Sequence, residues 1–399
     1  MYRRMAKPTF TLGIDLGTTH TVVAHHGNAM SFDPAKRGPF LLPSVLAFLP
    51  DGTELLGAEA RERRVIDPKN TLRATKRLIG ARFGSDRAQR YAEYHPYELA
   101  DKNGMAAIRT RGQLVDPVDV ATRILTRAAQ VAGHPAAECS AVITVAEAFG
   151  PSERAATVEA AQRVGFCNVR LVAEPVATAI AYLGNSSLRY AAVYDLGGGT
   201  FDFAIVDCTQ YPLKVLANDG DAYLGGEDVD SELATQVAAQ VLREHRWDLT
   251  ADRVAFARLI AFCELAKVEL ASKEETRIDL LQVDPAGPWT TEGFVLTQKR
   301  LIEITQHLVR RTFGVCDQVL SQAEIRVRDI DAVFLAGGST ALPNLAHTIK
   351  QYFGKRPRHD LNPMHVVAEG ASLAAARPDL AGLLKTNAVP RREPPVIRR

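Results

Sequence analysis

Two aspartates, each closing an apolar strand and each followed at once by leucine and glycine, are the residues in this chain best placed to do chemistry. The first lies in Phe10-Thr11-Leu12-Gly13-Ile14-Asp15-Leu16-Gly17-Thr18-Thr19-His20-Thr21-Val22-Val23-Ala24. The second lies in Ala191-Ala192-Val193-Tyr194-Asp195-Leu196-Gly197-Gly198-Gly199-Thr200-Phe201-Asp202-Phe203-Ala204-Ile205-Val206. Each segment reads as a β-hairpin: apolar strand, short polar or glycine turn, second apolar strand. Glycine in the turn removes the Cβ and lets backbone N–H groups approach phosphate oxygens. An aspartate at the strand end can hold a hydrated magnesium ion, a hard cation that prefers oxygen ligands. Two such hairpins can grip one phosphate chain from both sides. The pair therefore points to nucleotide phosphate binding and hydrolysis in a protein built from two similar halves.

The elements that must position these residues alternate between strand and helix. Ala141 to Val145 and Val169 to Val172 read as short buried strands, and the first hairpin opens a mainly β region reaching about Phe48. A polar helical stretch is expected over Arg61 to Arg64 and again over Asn70 to Gly84, and Asp119 to Gly133 has helical periodicity. Ser152 to Val164 reads as a helix with Ser152 as its cap. Glu174-Pro175 starts a helix that stops near Gly184, with proline at the tolerated first turn. In the second half, helices are expected at Val229 to Glu244, Arg253 to Lys273, Leu296 to Leu320, Pro343 to Tyr352 and Val366 to Ala376. A buried strand, Asp331 to Ala336, runs into Gly337-Gly338-Ser339-Thr340. This alternation predicts an α/β duplication around a central cleft, with ligands beyond the carboxyl ends of the strands.

Bulk properties exclude several classes. The chain has 399 residues, 46% hydrophobic and 24% charged, which is ordinary for a soluble globular protein. A net charge of +2 offers no electrostatic case for nucleic acid. No apolar signal core follows the N-terminus, and no uncharged run is long enough to span a membrane. The five cysteines (Cys139, Cys167, Cys208, Cys263, Cys316) are scattered without a CxxC pair, so neither a zinc site nor a disulfide framework is indicated. A reducing compartment, the cytoplasm, is expected.

The ordered motifs resemble the nucleotide-binding domain of the 70-kDa heat-shock (DnaK-type) chaperones, within the actin–hexokinase ATPase superfamily. The resemblance spans roughly residues 10 to 380. Beyond the hairpins it rests on Asn70-Thr71-Leu72-Arg73-Ala74-Thr75-Lys76-Arg77-Leu78-Ile79-Gly80, Ala173-Glu174-Pro175, Leu224-Gly225-Gly226-Glu227-Asp228, Cys263-Glu264-Leu265-Ala266-Lys267 and Ala336-Gly337-Gly338-Ser339-Thr340. It implies an actin-like ATPase fold of duplicated ribonuclease H-like halves. One lobe would cover 1–188 with an outer insert at about 49–117, and the other 189–385 with an insert at about 226–305. A disordered proline- and arginine-rich tail would follow at 386–399.

The resemblance also implies roles. Thr18, Thr19 and Gly17 would contact the phosphates of ATP or ADP from one side. Gly197, Gly198, Gly199 and Thr200 would wrap them from the other, with Gly225 and Gly226. Asp15 and Asp195 would orient Mg2+ through water. Lys76 would reach the γ-phosphate, where an ammonium stabilises developing negative charge, and Glu174 would orient or deprotonate the attacking water. Glu264, Lys267, Gly337, Gly338 and Ser339 would border the adenosine. On residue type alone, Lys76 reads as a solvated surface lysine and Glu174 as an acid favouring a helix N-terminus. Glu264 and Lys267 read as a surface ion pair. The resemblance reverses the first two readings.

The chain also departs from the family pattern. No peptide-clamping domain is expected before Arg399, and Leu383-Leu384 only faintly echoes the usual apolar linker. Ala146 stands where the family has a proline tied to interdomain signalling, while the neighbouring Arg154 is kept. Ala271, Ala341 and Met364 alter the adenosine rim, and His20 replaces an asparagine. The reading is Mg-dependent ATP binding with slow hydrolysis. A co-chaperone or a separate client-binding protein is the possible partner. The alternatives are a non-catalytic nucleotide-dependent sensor module, an actin-like filament subunit and a small-molecule kinase.

Overall fold

The computed structural model describes residues 10–33, 38–184, 187–289, 293–377, 379 and 384–385. The expected tail at 386–399 and Leu383 lie outside them. Both hairpins form. Phe10–Leu16 pairs antiparallel with His20–His25 in the register Asp15 to Val22, and Tyr190–Leu196 with Phe201–Asp207 in the register Asp195 to Asp202. The leading strand of each hairpin then pairs in parallel with a later strand, Cys139–Val145 in the first half and Ala332–Ala336 in the second. The first sheet runs Leu384–Lys385, Asn168–Ala173, Cys139–Val145, Phe10–Leu16, His20–His25, Asn28–Ala29, with Leu42–Pro43 also on His20–His25. The second runs Lys214–Asp221, Phe201–Asp207, Tyr190–Leu196, Ala332–Ala336. Cys139–Val145 is buried at every position, which is why it is mostly apolar and shows no polar face, with only the small Ser140 and Thr144 among its apolar residues.

Two helices join the sheets. Glu174–Leu183 and Val366–Ala376 pack on each other, and one apolar cluster gathers Val142 and Val172 of the first sheet with Ala191, Val193 and Phe334 of the second. Their closeness depends on two glycines. A Cβ on Gly370 would collide with the Ala177 carbonyl, and one on Gly13 with the backbone of Ala368 and Ser372. The hairpins are thereby held at a fixed spacing, with Asp15 and Asp195 at facing strand ends.

Several expected elements differ. Asn70 to Gly84 is not a helix. It holds a 3-10 turn at Pro68–Asn70, a short strand at Thr71–Leu72 and a 3-10 turn at Thr75–Leu78. Left-handed backbone at Ala74 (φ 54°) and Gly80 (φ 69°) breaks any longer helix. Ser152 is not a cap. The helix Pro151–Val164 starts one residue earlier, because proline presets the first turn, and the Ser152 hydroxyl instead donates to the Gly80 carbonyl at 2.9 Å. The helix expected from Leu296 begins at Gln298, capped by Thr297, since Phe294–Thr297 pairs with Glu275–Ile278 as a hairpin. The antiparallel strands Glu98–Lys102, Met105–Thr110 and Gln113–Val115 carry no counterpart in the sequence reading.

The glycines make opposite predictions. Gly370→Ala should lower stability by about 2 kcal/mol or more through overpacking. Gly314, inside the helix Gln298–Gln322, has open space where a Cβ would go, so Gly314→Ala should raise stability by about 0.5–1 kcal/mol. Urea unfolding midpoints of the two variants check both signs.

Candidate nucleotide-phosphate site

The carboxyl ends of Phe10–Leu16, Tyr190–Leu196 and Ala332–Ala336 open onto one cleft of ≈ 310 Å³. It is lined by Asp15, Gly17, Thr18, Thr19, Lys76, Glu174, Asp195, Gly197, Gly198, Gly199, Thr200, Glu264, Lys267, Gly337, Gly338 and Ser339. Of the residues singled out from sequence, Gly225 and Gly226 alone fall outside that lining. They stand behind the second glycine turn. Gly226 donates its N–H to Gly197 at 3.1 Å and Glu227 to Gly198 at 2.6 Å, and a Cβ on Gly225 would strike the backbone of Gly198 and Gly199. Their smallness braces the turn.

The glycines of the turns are required by close approach. A side chain at Gly198 would collide with Thr19 of the opposite hairpin. Gly337 takes left-handed backbone (φ 83°) and fits against the Leu196 carbonyl, while Ser339 Oγ donates to the Gly197 carbonyl at 2.8 Å. The third glycine element is thus bonded to the second hairpin.

At the centre, Lys76 Nζ sits 2.7 Å from Glu174 Oε1, both side chains largely buried. Lys76 is therefore not a solvated surface lysine. Burial alone would lower its pKa, but Glu174 and Asp15 outweigh that and raise it. Asp15 accepts a hydrogen bond from Thr144 Oγ1 at 3.0 Å; burial, then repulsion from Glu174, lifts its pKa to about 6. Burial lifts Asp195 well above the carboxylate range, with Glu174 and Asp202 adding to the effect. Asp202, not anticipated as a site residue, is lifted to about 7 by burial and Glu174. Its signal was available: an acid between Phe201 and Phe203 at the start of a mainly apolar strand, two residues after Thr200.

Four carboxylates thus act on one another around one ammonium, a donor set that fits a hard divalent cation. Among the described residues no three His, Cys, Asp or Glu side chains enclose a metal by themselves. Mg2+ commonly binds in that way, through one or two carboxylates, water and phosphate oxygens. Asp15 and Asp195 are the residues that would hold it.

Contacts across the cleft join the halves. Arg64 pairs with Glu264 at 2.5 Å and Arg73 with Glu227 at 2.7 Å, and Thr19 Oγ1 donates to Glu227 at 3.4 Å. Burial would raise Glu227, but Arg73 and Arg77 outweigh it and bring its pKa down to about 2. Arg77, buried, donates to the Gly199 carbonyl. Lys267 pairs with Asp230 at 2.8 Å, so Glu264 and Lys267 do not form the surface pair that their spacing suggests. Burial, then Arg61, lowers His20 to about 4, which leaves its imidazole neutral at physiological pH.

Two like halves that close glycine turns on a shared phosphate cleft define the actin-like ATPase fold. Within that class the family model described as Hsp70 protein matches residues 11–382, and the chain belongs to the Hsp70 family. Its domain is accordingly a nucleotide-binding, chaperone-type ATPase domain of a family that works with co-chaperones and clients. No helix among the described residues is long and apolar enough to cross a membrane.

His95 provides a pH test of the rim. It packs beside the rings of Tyr91 and Tyr97, neither ring nitrogen has a partner, and burial lowers its pKa to about 3. The folded state refuses a proton that the unfolded chain accepts near pH 6.5. The contribution is therefore complete above pH 6.5 and is lost as pH falls towards 3. Relative to wild type, His95→Phe should gain stability on acidification, by roughly 2 kcal/mol at pH 5. Denaturation curves from pH 7.5 to 5 check this.

Proposed function

We propose that this chain binds Mg-ATP and hydrolyses it slowly to ADP and phosphate, with turnover coupled to opening and closing of the two halves. The observation that carries the reading is the Lys76–Glu174 pair, held at 2.7 Å between the two hairpin aspartates and inside the lining of the cleft. The glycine turns Gly17 to Thr19 and Gly197 to Thr200 present backbone N–H groups to the phosphate chain from opposite sides. A bound Mg2+ would supply charge neutralisation across the phosphate oxygens.

Water attacks the γ-phosphorus in line with the leaving oxygen of ADP. In this reading Glu174 orients that water and accepts its proton. Lys76, fixed by Glu174, lends its ammonium to the charge spreading over the transferred phosphoryl group. Thr200 closes the second turn against the same group. These contacts tighten in the transition state, so they act on rate more than on binding. A co-chaperone or a separate client-binding chain is the partner that such a cycle would serve.

Lys76→Ala should bind Mg-ATP within about threefold of wild type and lose single-turnover hydrolysis by about a hundredfold or more. Equal losses in binding and rate would remove the assigned role of Lys76. Binding without hydrolysis in the wild type would leave a nucleotide sensor instead of an enzyme.

A further inference from the structure

The cleft has two chemically different ends. The phosphate end carries the glycine turns, the carboxylates and Lys76. The other end is walled by Val268, Ala271, Ala341, Leu342, Pro363 and Met364, which carry no side-chain hydrogen-bonding group apart from the weak thioether of Met364. The three polar side chains that border this wall spend their donors, or one carboxylate oxygen, on the protein. Glu264 is held by Arg64 at 2.5 Å, Lys267 by Asp230 and the Gly226 carbonyl at 2.8 Å, and Ser339 Oγ by the Gly197 carbonyl at 2.8 Å. His20, the remaining polar side chain nearby, belongs to the first hairpin and lies among the charges of Arg61, Glu264 and Arg64. In the turn Gly338–Ala341, the N–H of Thr340 bonds within the turn to Gly337, and that of Leu342 to Ser339.

A nucleoside whose phosphates lie between the hairpins must place its base against this wall. Adenine and guanine differ in the donors and acceptors on their edges and in the 2-amino group of guanine, and none of the six wall side chains carries a group that reads those edges by a strong hydrogen bond. An apolar wall discriminates poorly between ligands of one shape, whereas a site that hydrogen-bonds its ligand rejects the wrong one by orders of magnitude. The wall is also open to solvent. Val268 is 64% exposed and Met364 is 42% exposed, so the polar edges of either base stay hydrated and guanine pays no added desolvation.

We propose that this site selects its ligand by the triphosphate and a flat purine face and does not distinguish adenine from guanine, so that GTP is a substrate alongside ATP. The inference rests on the proposed nucleotide-phosphate reading of the cleft and adds its specificity. Purines should exceed pyrimidines modestly, because the larger ring covers more of the apolar wall.

The test is the dissociation constant and the single-turnover rate of the full chain with Mg-ATP and Mg-GTP in parallel, with inorganic tripolyphosphate as a competitor. The expected result is that the two nucleotides agree within tenfold in both quantities, and that tripolyphosphate displaces both. A tenfold limit corresponds to about 1.4 kcal/mol of base discrimination. GTP weaker or slower than ATP by more than tenfold would overturn the inference and leave the phosphate reading intact. Binding of neither nucleotide would overturn both, so the two failures are told apart.

Discussion

Four carboxylates are gathered around one ammonium, and the rest of the structure is arranged around that imbalance. Asp15, Glu174, Asp195 and Asp202 come from four different elements, and Lys76 comes from a fifth. Each buried ion costs several kcal/mol unless it is paired. The protein answers in part with Lys76 and in part by letting the pKa of Asp15 rise to about 6 and that of Asp202 to about 7. What stays uncompensated is a standing demand for positive charge between the two glycine turns. Any cation-bearing ligand that binds the folded chain there stabilises it by mass action.

Holding such a cluster needs a scaffold that does not relax. The joint of Glu174–Leu183 on Val366–Ala376 provides it, because Gly370 and Gly13 let backbones meet with no side chain between them. Glu174 begins one of these helices, so the same packing that joins the sheets also places the acid beside Lys76. The rim is built from different material. Arg64–Glu264 and Arg73–Glu227 are ion pairs with side chains about a fifth exposed, more easily parted than a packed apolar joint. Mobility is thus available at the rim and withheld at the base.

The hairpins, the strands that pair with them and the candidate residues that line the cleft were legible in the sequence, because each is written locally: a strand, an aspartate, a glycine turn. The bracing role of Gly225 and Gly226 was not, since it depends on the distance to Gly198, which no local pattern encodes. The partners of Glu264 and Lys267 were missed for the same reason, as Arg64 is 200 residues away from Glu264 in the chain. The helix expected over Asn70 to Gly84 failed on a backbone detail. Alanine at position 74 favours helix by propensity, yet tertiary contacts hold it left-handed. The strands from Glu98 to Val115 have mixed, half-exposed faces, which leaves their alternation weak.

The loop after Cys139–Val145 shows how closely the periphery is tied to the centre. Ala146 stands where the family resemblance implies a proline, and its carbonyl accepts the N–H of Phe149 at 3.0 Å to close a turn. Arg154 then reaches back, donating Nε to the Phe149 carbonyl at 2.7 Å and Nη2 to that of Glu147 at 3.1 Å. The turn so fixed sets the Phe149 ring 5.7 Å from Lys76 Nζ and 5.9 Å from the Arg87 guanidinium. A cation over an aromatic face gains about 0.5–1 kcal/mol, or more where water is excluded. Arg87 in turn donates to the backbone carbonyl of Arg77 at 2.6 Å, next to Lys76 in the chain. Lys76 is therefore positioned from two sides, by Glu174 from the joint and by Phe149 from this loop.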